Sequence, residues 1–511
     1  MSFATVYSRA PLGIDAIEVT VETHLSNGLP AFAIVGLPET AVKEAKERVR
    51  SAILNSGLEF PVKRITVNLA PADLPKSGGR FDLAIALSIL AASNQIPQES
   101  IRNAEVVGEL ALDGSTRGIS AVIPSIVAAK KKARRAIIPF SNHREHALVE
   151  YENVSCVRSL SEFVAQAVSS KPLLCTHSYE EHSFDPSAYR LVLEQPFVAI
   201  KGQSLAKRAI QIAASGGHHI LLLGPPGSGK TLLAHSILSL LPLLENEEAI
   251  EVAAIRSVVN QTVNQEHWRV PPMRAPHHTT TGVALVGGGN KASPGEISLA
   301  HRGILFLDEL AEFKAGVLDS LREPLESGEI TVSRANYQVN FPAKFQLIAA
   351  MNPCPCGHAT NEHQNCSCSS QQIKKYLGKL SGPFLDRIDM LLEVPALTQA
   401  ELLNTTSEPV DWQSIKYAID TCRELQLQRN GGKLNSELTI TQIEQFCAID
   451  KALKRQLAHA MDKLRLSARA THKVLKVART LADYEGSEKI GKNHVFEALN
   501  FRKQKILNRV F

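Results

Sequence analysis

Ile220-Leu-Leu-Leu-Gly224-Pro-Pro-Gly227-Ser-Gly229-Lys230-Thr231 decides the fold. Four apolar residues read as a strand buried on both faces, and they enter a glycine loop of the form G-x-x-x-x-G-K-[ST]. The spacing predicts a helix over Leu232–Leu241 directly behind it. The glycines let successive backbone N–H groups turn inward around phosphate oxygens, and a helix N-terminus adds a favourable dipole for the same anion. Gly224, Pro225, Pro226, Gly227, Ser228, Gly229, Lys230 and Thr231 are therefore candidate nucleotide-binding residues. Lys230 is expected to reach the β- and γ-phosphates of ATP, and the Thr231 hydroxyl to ligate Mg²⁺.

Downstream, Gly303-Ile-Leu-Phe-Leu-Asp308-Glu309 is a second buried strand, ending in two carboxylates. Asp308 is expected to complete the Mg²⁺ shell. Glu309 is placed to orient and deprotonate an attacking water, which points to hydrolysis of ATP rather than binding alone. A third strand, Phe345–Asn352, ends in an amide that could bond the γ-phosphate or the water. Beyond it, Phe384-Leu-Asp386-Arg387-Ile-Asp389 and Ser467-Ala-Arg469 each offer an arginine. Either alone could be a surface salt bridge. Their order along the chain is what gives them weight.

The alternating α/β pattern containing these strands runs from about 190 to 395. Before it, residues 1–168 also alternate, with strands at Ile17–Thr23 and Arg64–Asn68 around a helix over Thr40–Leu54. A polar, irregular stretch, 169–189, reads as a linker. Residues 396–511 read as helical throughout, with Leu457, Met461, Leu464 and Ser467 spaced three to four apart. At 511 residues the chain is long enough for about three domains. A composition 44% hydrophobic and 21% charged excludes a disordered chain and a coiled-coil rod. No apolar run approaches the roughly 18 to 20 residues that span a bilayer, and the first residues lack an export signal, so a cytoplasmic protein without membrane contact is expected. The net charge of +5 is unevenly placed, because residues 451–511 carry 15 Lys and Arg against 5 Asp and Glu. A basic end points to a polyanion such as nucleic acid, although a solvated helix face gives the same count.

Four of the eight cysteines fall close together, as Cys354-Pro-Cys356-Gly-His358 and Cys366-Ser-Cys368. In a reducing compartment such pairs favour thiolate–metal bonds, and four sulfurs suit a closed, structural zinc site. His358 and His363 could replace one sulfur. Reduced thiols without metal, or a redox switch, are the competing readings. Cys156, Cys175, Cys422 and Cys447 are scattered and read as small buried hydrophobes.

The order Gly224–Thr231, Asp308-Glu309, Asn352, Arg387, Arg469 is that of an AAA+ ATPase. That resemblance implies Asn352 as sensor 1, Arg387 as the arginine finger acting on a neighbouring subunit, and Arg469 as sensor 2. The segments Arg274-Ala-Pro-His277-His278-Thr, Val283–Gly289, Pro294–Gly303, Ile34–Pro38, Asn68–Asp73, Gly78–Asp82 and Cys354–Gly357 resemble the ComM/YifB family of the magnesium-chelatase-like branch, over essentially the whole chain. The resemblance implies an N-terminal Lon-protease-like α/β domain, an AAA+ core with a parallel sheet, and a C-terminal helical lid. It also implies a homo-hexameric, ATP-driven motor for DNA branch migration in natural transformation and homologous recombination.

In such motors a hairpin before sensor 1 enters the ring channel. Here Glu329–Phe341 has two alternating strands around Arg334-Ala-Asn336, so Arg334 and Tyr337 are candidate DNA contacts. The glycine-rich Val283–Lys291 offers Lys291 as another. In the Lon-like region, Lys76-Ser77-Gly78-Gly79-Arg80 puts Arg80 where Lon has its serine, and Gly118–Ile126 holds no lysine. Without that pair there is no activated nucleophile. Lys130–Arg135 is either a DNA contact or a solvated helix end. Three other readings compete with the DNA motor: a metal-chelatase motor subunit, an ATP-dependent protease and a protein-remodelling ATPase. The missing Ser–Lys pair argues against the protease.

Overall fold

The computed structural model describes residues 2–36, 39–74, 76, 78–169, 197–261, 267–289, 292–333, 338–360, 365–397, 411–464 and 466–502. The chain forms two compact units. The first comprises residues 1–184, 246–268 and 292–294, and the second comprises 185–245, 269–291 and 295–511. Apart from Ser169, the expected linker lies outside the described residues.

The first unit holds β1 (Ser2–Leu12), β2 (Asp15–Ser26), β3 (Ala31–Val35), β4 (Arg64–Ala70), β5 (Ala104–Val106), β6 (Arg135–Pro139) and β7 (Val154–Val157). They form one sheet in the order β3-β4-β2-β1-β5-β6-β7. β2 pairs antiparallel with β1 and β4, and the remaining neighbours are parallel. Alternation along β2 buries Val19, Val21, Thr23 and Leu25, as period-2 patterning requires. The helix Asp82–Ala92 is enclosed on every side and lies at the centre of this core. A second cluster joins the helix Val122–Lys131 to the helix Asn246–Val258, through Val122, Ile126, Ala253 and Ala254. The docking is also polar. The Ala121 N–H donates to the Ser257 carbonyl at 2.8 Å, and the Val122 N–H to Ser257 Oγ at 3.1 Å. Residues 246–268, read from sequence as part of a continuous 190–395 core, thus pack with the first unit.

The second unit is built on β8 (Ile220–Leu223), β9 (Met273–Arg274), β10 (Ile304–Leu307), β13 (Gln346–Met351) and β14 (Met390–Glu393). A separate hairpin, β11 (Glu329–Ser333) with β12 (Gln338–Pro342), precedes β13. The sheet is parallel throughout, in the order β9-β10-β13-β8-β14. β8 therefore sits between two parallel neighbours, and the loops after β8, β10 and β13 leave the same edge. This is where an open α/β sheet places its ligands. The helices Trp412–Asn430, Ile440–Phe446, Lys451–Leu464, Ala468–Tyr484 and Lys492–Asn500 follow. Leu222, Phe306, Ile348 and Leu392 of the sheet share one apolar core with Val477, Leu481 and Val495 of these helices and Phe501 just after the last. Each such side chain contributes roughly 1.5–3 kcal/mol by leaving water.

Two local expectations change. The helix after the glycine loop is α-helical over Lys230–Ser236 and tightens to a 3-10 turn over Ile237–Leu240. Ser467 does not continue the stripe of Leu457, Met461 and Leu464. Its hydroxyl accepts the Ala470 N–H at 3.1 Å and caps the next helix, the usual use of a serine ahead of an apolar run. No helix among the described residues is long and apolar enough to cross a membrane.

Candidate nucleotide site and its surroundings

The glycine loop connects β8 to the helix Lys230–Ser236. Gly224 lies against the strand edge, where a Cβ would sit 2.1 Å from the Val394 carbonyl oxygen, so no other residue fits. Gln203 braces the loop, its amide donating to the Ser228 carbonyl at 3.4 Å and the Pro395 carbonyl at 2.8 Å. The Lys230 amine is buried and bonds the Gly224 and Pro225 carbonyls, both at 2.8 Å, and Asn352 Oδ1 at 3.3 Å. Burial lowers its pKa, and the Asp308 charge opposes that shift. A buried ammonium satisfied mainly by carbonyls is a group ready to exchange them for phosphate oxygens.

Thr231 Oγ1 donates to Asp308 Oδ2 at 2.8 Å. A hydroxyl and a carboxylate side by side form a hard-oxygen donor set, which fits Mg²⁺. Parallel pairing puts Asn352 just beyond Met351, and the Met351 carbonyl accepts the Gly224 N–H at 3.2 Å. Lys230, Thr231, Asp308 and Asn352, distant in sequence, are thus brought together.

Glu309 has φ +51°, an uncommon value for a residue with a side chain, and its N–H bonds Asp308 Oδ1 at 2.8 Å. Its carboxylate is exposed and meets His278 Nδ1 at 3.0 Å. The His278 ring lies 4.0 Å from that of His277, tilted by 34°, and Arg274, four residues earlier, grips Glu296 with two bonds of 2.6 and 2.8 Å. Sequence reasoning gave His278 no role. The only signal was its place in the Arg274–Thr279 motif.

Arg387 is not brought to the loop. Its guanidinium donates to the Arg322 carbonyl at 3.1 Å and the Pro383 carbonyl at 2.6 Å, and pairs with Glu326 at 2.6 Å. Arg469 is exposed in the first turn of the helix Ala468–Tyr484. The two arginine-bearing segments are stitched together, because Lys473 Nζ donates to the Arg387 carbonyl at 2.9 Å and to buried Asp389 at 2.7 Å. Burial would raise the Asp389 pKa, but the Lys473 charge and the nearby His218 and His219 outweigh it and hold the carboxyl well below its usual range, and the His219 backbone N–H donates to Asp389 Oδ2 at 2.8 Å.

The hairpin expected around Arg334 is present. Ile330, Val332, Val339 and Phe341 point inward and Thr331, Ser333, Gln338 and Asn340 outward. Arg334, Tyr337 and Lys291 themselves lie outside the described residues. The loop leading to Lys291 opens with a short helix, Gly282–Val286, capped by Thr281. Of the basic residues in 451–511, Lys473, Lys476, Arg479 and Arg502 turn inward to bond carbonyls or carboxylates. Lys451, Lys454, Arg455 and Lys463 stay exposed on one helix. In the run Lys130–Arg135 the three lysines are exposed and the two arginines half-buried, yet most of these side chains have partners. Lys130 bonds the Val149 carbonyl, Lys132 and Arg134 pair with Glu18, and Arg135 bonds the Ser100 carbonyl. Buried Arg80 donates to Ser125 Oγ at 3.2 Å and the Ser120 carbonyl at 3.4 Å, so its guanidinium reaches the stretch where a Lon-type lysine was sought.

The four clustered cysteines do converge, with all four sulfurs within 4.8 Å of one another. Cys354 and Cys356 are 3.4 Å apart, and each lies within 3.7 Å of Cys366. Zn–S bonds of about 2.3 Å in a tetrahedron place sulfurs about 3.8 Å apart, so the cluster fits zinc. His358 is partly buried beside it, whereas His363 lies outside the described residues. Cys422 and Cys447 are buried, and burial pushes both thiols up to about 12. Cys156 is only partly buried, and Cys175 lies outside the described residues.

A parallel sheet with a glycine loop after its central strand, Asp308-Glu309 and Asn352 on the same edge, and helices packed behind it defines a P-loop protein of the AAA+ class. Comparison with known families agrees: magnesium chelatase, subunit ChlI, matches residues 196–402, a second ChlI model matches 21–142, and the ChlI C-terminal model matches 411–502. The chain is 49% identical over 503 residues to competence protein ComM of Haemophilus influenzae, covering 98% of each, and 46% identical over 506 residues to YifB of Escherichia coli, covering 98% and 97%. The magnesium-chelatase 38 kDa subunit of Cereibacter sphaeroides is 25% identical over 324 residues, 59% of this chain and 88% of that one. The chain belongs to the ComM/YifB family of magnesium-chelatase-like AAA+ proteins. Such membership implies ATP and Mg²⁺ as ligands in general terms.

Proposed function

We propose that this protein is an ATP hydrolase that works as a ring-forming, cytoplasmic DNA motor, moving branched DNA in transformation and recombination. The observation that carries the ATPase half is the convergence of Lys230, Thr231, Asp308 and Asn352 beside Glu309 at one sheet edge. The DNA half is supported by the likeness to a competence protein over nearly the full length of both chains, by the hairpin before β13 and by the exposed cations of the helix Lys451–Leu464.

In this mechanism the Lys230 amine leaves the Gly224 and Pro225 carbonyls for the β- and γ-phosphate oxygens of ATP. Thr231 and Asp308 would hold Mg²⁺, which when bound neutralises phosphate charge. Glu309 leaves His278 and accepts a proton from water as the water oxygen bonds the γ-phosphorus. The bond to the β-phosphate oxygen breaks, giving ADP and phosphate. Asn352 orients the water, and Arg387, released from Glu326, reaches the nucleotide of a neighbouring subunit. Arg469 would report nucleotide occupancy to the helical lid through the Lys473 tie. Residues 1–168 would serve as a scaffold lacking a peptidase dyad, with Arg80 in the serine position.

The test is ATPase rate with single-stranded, duplex and four-way-junction DNA, at two salt concentrations. Stimulation by DNA that weakens with salt supports the proposal. Stimulation by an unfolded protein alone favours a remodelling ATPase instead.

A further inference from the structure

The four-cysteine cluster is joined directly to the candidate nucleotide site. β13 leads through Asn352, which bonds Lys230, to Cys354 two positions on, and Cys354 is fully buried. Three residues later Gly357, at φ +85°, lies flat against the glycine loop. A Cβ there would come within 2.5 Å of Pro226 Cδ and 2.7 Å of its Cγ. The cysteine loop therefore forms one wall of the glycine loop.

The loop already holds the sulfurs close, with Cys354 and Cys356 3.4 Å apart and Cys366 3.7 and 3.5 Å from them. Four sulfurs within 4.8 Å repel one another once ionised, and a tetrahedral divalent ion that prefers sulfur removes the repulsion. In the same loop, His358 Nδ1 is buried with no hydrogen-bond partner among the described residues.

We infer that Cys354, Cys356, Cys366 and Cys368 hold a zinc ion that shapes the nucleotide pocket, fixing Asn352 from one side and Pro226 from the other, so that nucleotide binding depends on the metal. This rests on the proposed nucleotide site, and the experiment separates the two claims. Full-length protein purified without added metal is assayed for zinc content and for affinity toward a fluorescent ATP analogue. Four forms are compared: wild type, the double variant Cys366→Ser/Cys368→Ser, Gly357→Ala and Lys230→Ala.

Wild type should carry one zinc per chain. The double variant should lose zinc and bind nucleotide about tenfold or more weakly. Gly357→Ala should keep its zinc yet also bind more weakly, because its methyl displaces Pro226, and this guards against a merely misfolded double variant. Lys230→Ala should keep zinc and lose nucleotide. Wild-type affinity in a zinc-free double variant, or wild type that binds nucleotide without zinc, overturns the inference. If wild type carries zinc but binds no nucleotide, the nucleotide reading itself has failed.

Discussion

Lys230 and Glu309 divide the proposed chemistry between binding and turnover, and their surroundings predict different failures. The Lys230 amine is held by loop carbonyls, the Ser228 hydroxyl and Asn352, so Lys230→Ala should remove nucleotide affinity and leave the fold intact. Glu309 is exposed and tied only through His278 and its own backbone, so Glu309→Gln should still bind ATP while turnover drops about 100-fold or more. Equilibrium binding beside steady-state hydrolysis checks both. At the sheet's opposite edge, His219 Nδ1 accepts the Leu347 N–H at 3.0 Å and must be neutral. Burial, with Lys473, His218 and Lys476 acting in the same direction and Asp389 against it, depresses its pKa from 6.5 to about 4. A base with a depressed folded pKa is more protonated when unfolded. Stability should therefore fall as pH drops from about 6.5 towards 4, by about 3 kcal/mol from this group. His219→Asn keeps an acceptor that cannot titrate, and thermal melts across that window should show a flatter profile.

Among the elements, the helix Ala468–Tyr484 carries the most. Its first turn presents Arg469, its second places Lys473 on Asp389, and its last brings Asp483 onto Arg429 and Arg479. Lys473→Met would leave Asp389 buried without its ammonium. A loss of about 3 kcal/mol is expected, measurable as a lower urea midpoint. The same helix marks the boundary of what sequence conveys. Gly224–Thr231, Asp308-Glu309 and the paired cysteines were legible because their chemistry lies in short, local spacings. The hairpin strands were legible because Ile330, Val332, Val339 and Phe341 alternate. Charge counting could not show that Lys473, Lys476, Arg479 and Arg502 turn inward, since direction depends on what packs opposite. Nor could helical periodicity show that Asn246–Val258 packs on Val122–Lys131, because the apolar face of a helix does not name its partner. His278 was quoted in a motif, yet its contact with Glu309 exists only once β9 and β10 lie side by side.

For the whole molecule, the proposal requires a site completed between subunits, and Arg387 is the residue that decides it. Within one chain its guanidinium is pinned to Glu326, so it contributes to hydrolysis only after a neighbour's nucleotide draws it away. Arg387→Ala should bind nucleotide normally and hydrolyse it about 100-fold more slowly or worse. Mixing it with Lys230→Ala should restore part of the activity, because some interfaces then pair an intact glycine loop with an intact arginine. Retained hydrolysis in Arg387→Ala would rule out the shared site. The most direct test of the central claim is the ATPase rate of wild type and Glu309→Gln with and without a synthetic four-way junction, with junction displacement followed in the same reactions. The account predicts junction-stimulated hydrolysis and displacement in wild type, both weakened by salt and both absent in Glu309→Gln. Hydrolysis that no DNA stimulates, with junctions left intact, would contradict it.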